Sequence, residues 1–515
     1  MAYLMGIDLG STSIKAVIYD EHGKMVSNGY RPTPLTYDNK EQPSWCVWEP
    51  EKIWDCVCAS IRQALAELSD PQEVKAVAVT GFGMDGLPMD KDGKPLYPMI
   101  SWHCPRTIPQ YERFTKEVGK ENIFRLTGKQ PQSIDSIYRM IWMKENHPEI
   151  LEKTDTWLLI EDYVNYMLCG VMGTDYSMAT CTSAFDQRTH SWCEDLIKTA
   201  GIPTEIFPEA RQSGFVLGKI RSDAAGLTGL SKDTQIVLGG HDYICAALSV
   251  GAVDSSVLLD ITGTWEMLIM AADKVQITDN LYKSGLYLEG HVAKDRCCYV
   301  ANSICGDMTE WMKVQLCKEE QLRAEAEDIN IWQAIEDTCR QSPAGSRGCT
   351  FLPHFSGAGT PNYDMNSMGA FIGLHNPTER GDLIRSVFEG LDYQLMEIID
   401  AYKTFGIGDP SRIITTGGST RNTFWMQNKA DVTGSIIEVP DLFEATPMGA
   451  ALMAGVGIGV FSNEQEAFKA VRSDITVYEP DLENHKLYTD LYENVYRKLQ
   501  NDLKDVNAAL SKRFR

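Results

Sequence analysis

The sequence predicts an α/β protein built as two domains, residues 1–250 and 251–515, that flank one cleft. Three observations carry this expectation. A chain of 515 residues exceeds what a single hydrophobic core holds. A strand, a hydroxyl-rich turn and a second strand occur near the start and return about half a chain later, which suggests a duplicated domain whose copies face one cleft, the other reading being coincidence between two hairpins. Short apolar strands at residues 236–238 and 412–416 run into glycine pairs, where backbone can approach a ligand closely.

In chain order, residues 3–8, 13–19 and 24–29 read as hairpin strands. Ile14, Ala16 and Ile18 alternate with Lys15, Val17 and Tyr19, the period of a strand with two different faces. Between the first two strands, Gly10, Ser11, Thr12 and Ser13 offer amides and hydroxyls to phosphate oxygens. Asp8 at the strand end is placed to hold a metal ion or its water shell. The other reading is an ordinary Gly-Ser turn. Residues 50–68 carry Ile53, Trp54, Val57, Ile61 and Leu65 at helical spacing, a core-facing helix.

After the strand at Val77, Ala78 and Val79 comes Thr80-Gly81-Phe82-Gly83-Met84-Asp85-Gly86, and further on Ser101-Trp102-His103-Cys104-Pro105-Arg106-Thr107. A sugar site needs an aromatic face for carbon atoms and polar groups for hydroxyls, which Trp102, Asp85 and Arg106 supply as residue types. Core packing for Trp102 and a solvated loop for Arg106 are the plainer alternatives.

Gly239-Gly240-His241-Asp242 follows the apolar strand Ile236, Val237 and Leu238. A carboxylate just past a strand and two glycines sits where a substrate hydroxyl can approach, which makes Asp242 the candidate base. Asp also caps helices, and Tyr243 opens an apolar helical stretch, so the cap reading stays open. The second copy of the first device is the strand 258–261 with Thr262, Gly263 and Thr264. A third turn, Gly417-Gly418-Ser419, leads through Thr420, Arg421 and Asn422 into a helix.

Composition narrows the partners. With 48 basic against 71 acidic residues and a net charge of -23, nucleic acid and anionic membranes are unfavourable partners. The apolar run 448–461 is too short and glycine-rich to span a bilayer and reads as a buried helix. Fourteen cysteines lack zinc or redox spacing and read as reduced, mostly buried thiols. No signal peptide is visible, so a cytoplasmic location is expected. The tail 485–515 has helical spacing and either frays or packs on a partner subunit, as in a homodimer.

Gly369-Ala370-Phe371-Ile372-Gly373-Leu374, seven further residues and Asp382-Leu383-Ile384-Arg385-Ser386-Val387-Phe388-Glu389 fit, position by position, the C-terminal signature of the FGGY family of carbohydrate kinases. The chain resembles that family from about residue 4 to about residue 460. The resemblance implies two RNase H-like domains of the actin, hexokinase and Hsp70 ATPase superfamily. It also implies transfer of the γ-phosphate of ATP, with Mg2+, to a hydroxyl of a small sugar or polyol.

Carried over, Asp8 is the acidic residue of the first phosphate loop, with Gly10, Ser11 and Thr12 beside the phosphate. Thr262, Gly263 and Thr264 match the second phosphate loop; Gly417, Gly418 and Ser419, with Asn422, match the adenosine side. Asp242 matches the base, and Met84, Asp85, Trp102, Arg106, Asp242 and Tyr243 the sugar side. Three residues depart from the family pattern: Arg139 where lysine is usual, Met368 where many members have arginine, and Ser419 where a third glycine is common. The segments around Asp85 and Trp102 are most similar to those of L-fuculokinases, pointing to an L-fuculose-like ketose; a xylulokinase or polyol kinase is the alternative. A chaperone-like ATPase would need a further domain, for which the residues after 460 are too few, and a non-catalytic sugar sensor has no need of a base.

Overall fold

The computed structural model describes residues 2–514 except Thr264, Phe443 and Arg472, with only the backbone of Trp265 and Ile304. Two sheets follow one scheme. The first contains β1 (Tyr3–Leu9), β2 (Ser13–Tyr19), β3 (Met25–Pro32), β4 (Val74–Gly81), β5 (Val216–Lys219) and β6 (Gln235–His241) in the order β5-β6-β4-β1-β2-β3. The second contains β7 (Val257–Thr262), β8 (Trp265–Ala272), β9 (Tyr287–Gly290), β10 (Cys297–Ile304), β11 (Arg412–Gly417), β12 (Ile436–Pro440) and β13 (Ile475–Tyr478) in the order β9-β10-β8-β7-β11-β12-β13. In each, an antiparallel hairpin (β1-β2, β7-β8) is flanked on its first strand by parallel neighbours (β4 and β6; β11 and β12). The duplication expected from the two strand-turn-strand devices is therefore present in the backbone.

The central strands are buried on both faces because helices cover both. On one face Met5, Ile7, Val77, Val79 and Ile236 pack with Ile53, Val57 and Ile61 of α1 (Pro50–Leu65) and with Val164 and Leu168 of α2 (Ile160–Cys169). On the other face Leu4, Ala76, Ala78 and Val237 join a core that also holds Ile244 and Leu248 of α3 (Asp242–Ser249) and most of the second sheet. Helix α1 starts at a proline, whose missing N–H costs nothing in the first turn.

The apolar run near residue 450 forms a buried helix that returns to the first sheet. A Cβ on Gly6 of β1 would lie 1.8 Å from the Pro447 carbonyl oxygen, and one on Gly449 would lie 1.8 Å from the Cys245 carbonyl oxygen. These close approaches require glycine. Among the described residues no helix is long and apolar enough to cross a membrane. All fourteen cysteines are free, and eleven are buried.

The first part of the tail packs on its own chain. Tyr488, Tyr492 and Tyr496 cluster with Tyr393 of α4 (Arg380–Thr404) and with Leu352 and Val432 of the same chain. The Tyr488 hydroxyl donates to Glu389 at 2.7 Å and accepts from Arg385 at 2.8 Å.

Candidate active site

The C-terminal ends of the central parallel strands bring the site together, as in other open α/β sheets. Leu9 pairs with Gly81 and Gly81 with His241, so β1, β4 and β6 end level. Gly239 makes this register possible. The pairing of β6 with β4 shifts between Leu238 and Gly240, and a Cβ on Gly239 would lie 2.0 Å from the Val79 carbonyl oxygen. Thr80 Oγ1 donates to the Gly240 carbonyl at 2.6 Å and fixes the bulged strand end.

Asp8, Gly10, Ser11, Thr12, Met84, Trp102, Asp242 and Tyr243 then line one cavity of about 490 Å³. Asp242 is the first residue of α3, and the N-cap position falls on His241. Its Oδ1 accepts the Tyr243 N–H at 2.6 Å while the side chain keeps 31% of its surface open to the cavity. The residue thus supports the helix start and faces the cavity at once.

Both carboxylates are held above their ordinary range. Burial, then the nearby Asp242, push Asp8 up to about 7, with Lys15 opposing. Enclosure by protein likewise raises Asp242, and His241 pulls it back down. Asp8, a carboxylate at a strand end beside a phosphate-type turn, is a donor that fits a divalent cation or its water shell, whose charge would lower it.

A second cavity, of about 930 Å³, opens at the ends of β7 and β11. Thr262, Gly263, Gly418, Ser419 and Asn422 line it together with Trp332 and Arg340. Gly417 has φ +105°, and a Cβ there would lie 2.1 Å from the Thr262 carbonyl oxygen. Asn422 caps α5 (Thr423–Thr433) by accepting the Trp425 N–H at 2.8 Å, which leaves its buried Nδ2 without a partner. Thr264 lies outside the described residues.

Two residues expected on the sugar side do not reach the cavity. The Asp85 carboxylate is fully buried: it accepts from Trp48 Nε1 at 2.6 Å, from the Trp102 N–H at 2.9 Å and from Arg139 Nη2 at 2.7 Å. Its acceptor capacity is directed inward, and it acts on the cavity only through the backbone of Trp102. The departure at Arg139 is thereby explained, since a guanidinium also reaches the Ile100 carbonyl, at 2.9 Å through Nε. Arg106 is also turned away. Its Nη2 donates to both carboxylate oxygens of Asp38, at 2.7 and 2.9 Å, with its guanidinium 4.5 Å from the Trp45 ring centre.

Other wall residues had no local signal in the sequence. Gln132, Ile134, Met267, Tyr287 and Asn302 reach the first cavity from distant segments, and no motif spacing could have joined them. His241 lies in the Gly239–Asp242 stretch, but its partner Glu289 is 48 residues away.

Models of the FGGY family of carbohydrate kinases match the chain twice, the N-terminal domain over residues 3–249 and the C-terminal domain over 259–458. An L-fuculokinase from Salmonella typhi is 28% identical over 498 residues, covering 93% of this chain and 98% of that protein. A xylulose kinase from Bacillus subtilis is 28% identical over 524 residues and covers both chains completely. The crystal structure of a xylulose kinase from Rhodospirillum rubrum superposes with a TM-score of 0.88 at 24% identity, over 98% of this chain and 99% of that one.

Proposed function

Because the chain belongs to the FGGY family of carbohydrate kinases, and so phosphorylates a sugar-type acceptor with ATP, we propose that its acceptor is a ketose of the L-fuculose or xylulose kind and that Asp242 is the general base. The observation that carries the reading is the level ending of β1, β4 and β6, which gathers Asp8, the Gly10–Thr12 turn and Asp242 around one cavity.

In this reading Asp242 accepts the proton of the attacking hydroxyl, a role worth roughly 10²- to 10⁴-fold. Its position at a helix N-terminus and beside His241 keeps enough carboxylate in the ionised form. The amides and hydroxyls of Gly10, Ser11 and Thr12 hold the transferred phosphoryl group, and positioning supplies most of the catalysis. Mg2+ bound with ATP would neutralise phosphate charge, and Asp8 is the residue that would hold its water shell. Trp102 and Met84 offer the acceptor an apolar wall, and Tyr243 stands beside the base. The cavity at Gly418, Ser419 and Asn422 is where the nucleoside would lie, with Trp332 and Arg340 against it.

The test is ADP release, coupled to an optical readout, across ketopentoses, 6-deoxyketohexoses and polyols with Mg-ATP. Turnover is expected on a ketose, and an L-fuculokinase and a xylulose kinase among the relatives say which acceptors to try first. Silence on every ketose together with turnover on a polyol would overturn the acceptor assignment.

A further inference from the structure

Beside the base lies a buried polar chain that the phosphoryl-transfer reading does not use. His241 Nδ1 is 3.1 Å from Glu289 Oε2, and His241 Nε2 is 3.7 Å from Asp242 Oδ1. Glu289 Oε1 in turn faces the Lys129 ammonium at 3.4 Å, and both side chains are fully buried. Glu289 belongs to β9, the edge of the second sheet, whereas Lys129, His241 and Asp242 precede that sheet in the chain. The edge is docked firmly against the first half of the chain. The Leu288 N–H donates to the Gly128 carbonyl at 2.9 Å, and a Cβ on Gly290 would lie 2.7 Å from the Tyr176 carbonyl carbon.

We propose that Glu289 is a positioning residue for the catalytic base: braced by Lys129, it holds the His241 imidazole by Nδ1 so that Nε2 faces Asp242 and keeps that carboxylate oriented. The inference rests on Asp242 being the base. Cys181 Sγ, a His241 nitrogen and a Glu289 oxygen lie within 4.8 Å of one another, a grouping that could also hold a metal ion. The Lys129 ammonium argues for the positioning role, because it already provides the cation that Glu289 needs and would repel a second one.

The charges around the chain agree. Burial pushes the Glu289 carboxyl up, but His241, Lys129 and a hydrogen bond from Tyr243 outweigh it and hold it below the ordinary value. Burial opposes charge on His241, but Cys181 and Glu289 raise it overall. The Cys181 thiol is itself pushed up by burial and stays neutral, so Glu289 carries the effect. Asp175 and Glu161 also face His241, both pushed up by burial, and Asp8 faces Asp242 from β1.

The experiment compares pH profiles of kcat/KM for wild type, His241→Gln and Glu289→Gln, with Asp242→Asn as reference. His241→Gln removes the positive neighbour, and Glu289→Gln takes away the carboxylate that keeps the imidazole charged, a loss that outweighs the smaller direct repulsion of Glu289 on Asp242, so the acid limb should move to higher pH in both variants. kcat should fall ~10-fold, with the KM for ATP changed less than about twofold. Glu289→Gln leaves Lys129 unpaired; should it not fold, the Lys129→Met/Glu289→Gln double variant removes both charges and is expected to show the same shifted limb. An unmoved limb with near-normal kcat overturns the positioning role, and so does stoichiometric zinc in wild type that is lost in Glu289→Gln. Normal turnover in Asp242→Asn would instead overturn the base assignment itself.

Discussion

Asp242 supports a helix start and faces a cavity, and one substitution separates the two roles. Asp242→Asn keeps an oxygen for the Tyr243 N–H but cannot take a proton, so turnover should drop at least ~10²-fold with sugar binding and melting temperature nearly unchanged. Near-normal turnover would leave Asp242 as a helix residue only. Asp8 makes a pH prediction. Its folded pKa of about 7 lies above the ordinary 3.8, so between those values the native state holds the extra proton and stability falls as pH rises. Asp260, raised by burial to about 7, and Asp392, raised by burial to about 8, act in the same sense, so the comparison must be with a variant. The melting temperature of ligand-free wild type should fall from pH 5 to 8 by more than that of Asp8→Asn, and equal slopes would refute the raised carboxyl. Asp85 shows where reading the sequence stops. Asp8 and Asp242 line one cavity, and both stood out in the sequence because each sits beside glycines that punctuate a strand. Asp85 also sits among glycines, yet its role is set by Trp48 and Arg139, 37 and 54 residues away, and spacing cannot report such partners. Asp85→Ala should therefore act on stability, at about 3–5 kcal/mol for an uncompensated buried Arg139, with the constants for sugar and ATP drifting together. A selective rise in the sugar constant at unchanged melting temperature would return Asp85 to direct contact.

Strands and their turns were the elements most readable in advance, because a two-residue period ending in Gly, Ser and Thr has few other meanings. The three strands near the start and the pair around Thr262 lie where their patterns put them. Their order across each sheet was hidden, since pairing β6 with β4 depends on a bulge that only the fold reveals. The turn at Gly417 and Gly418 offers a contrast between neighbouring glycines. Gly417→Ala places a methyl 2.1 Å from the Thr262 carbonyl oxygen at a φ that disfavours side chains, so β7 and β11 must separate. A displacement of ~1 Å there should cost about 10²-fold in kcat/KM for ATP. Gly418 has nothing within 4 Å of its ideal Cβ, so Gly418→Ala should leave the melting temperature unchanged and weaken ATP alone. If Gly418→Ala lowers the melting temperature as much as Gly417→Ala, the turn is structural rather than nucleotide-facing.

The whole molecule shares its apolar interior. One cluster runs from Leu4, Ala76 and Val237 of the first sheet through Ile244 to Leu258, Leu268 and Val300 of the second, so the two sheets share one interior. Calorimetry of the ligand-free protein should accordingly show one cooperative transition, and two well-separated ones would contradict the shared core. The helix Ala445–Gly457 adds an order in time. It covers β1 and β4 with residues made more than about 360 positions after them, and a Cβ on its Gly455 would lie 2.8 Å from Leu4 Cδ1. A ribosome that has released only the first 250 residues has therefore produced a sheet with one apolar face covered only in part, by α3. At ~5–20 residues per second that face waits about ten seconds or more for its cover. A fragment ending at residue 250 should be insoluble or chaperone-bound, and co-expression of residues 251–515 should recover it as a complex; a soluble, cooperatively melting fragment would show that the early half closes its interior without the late helix.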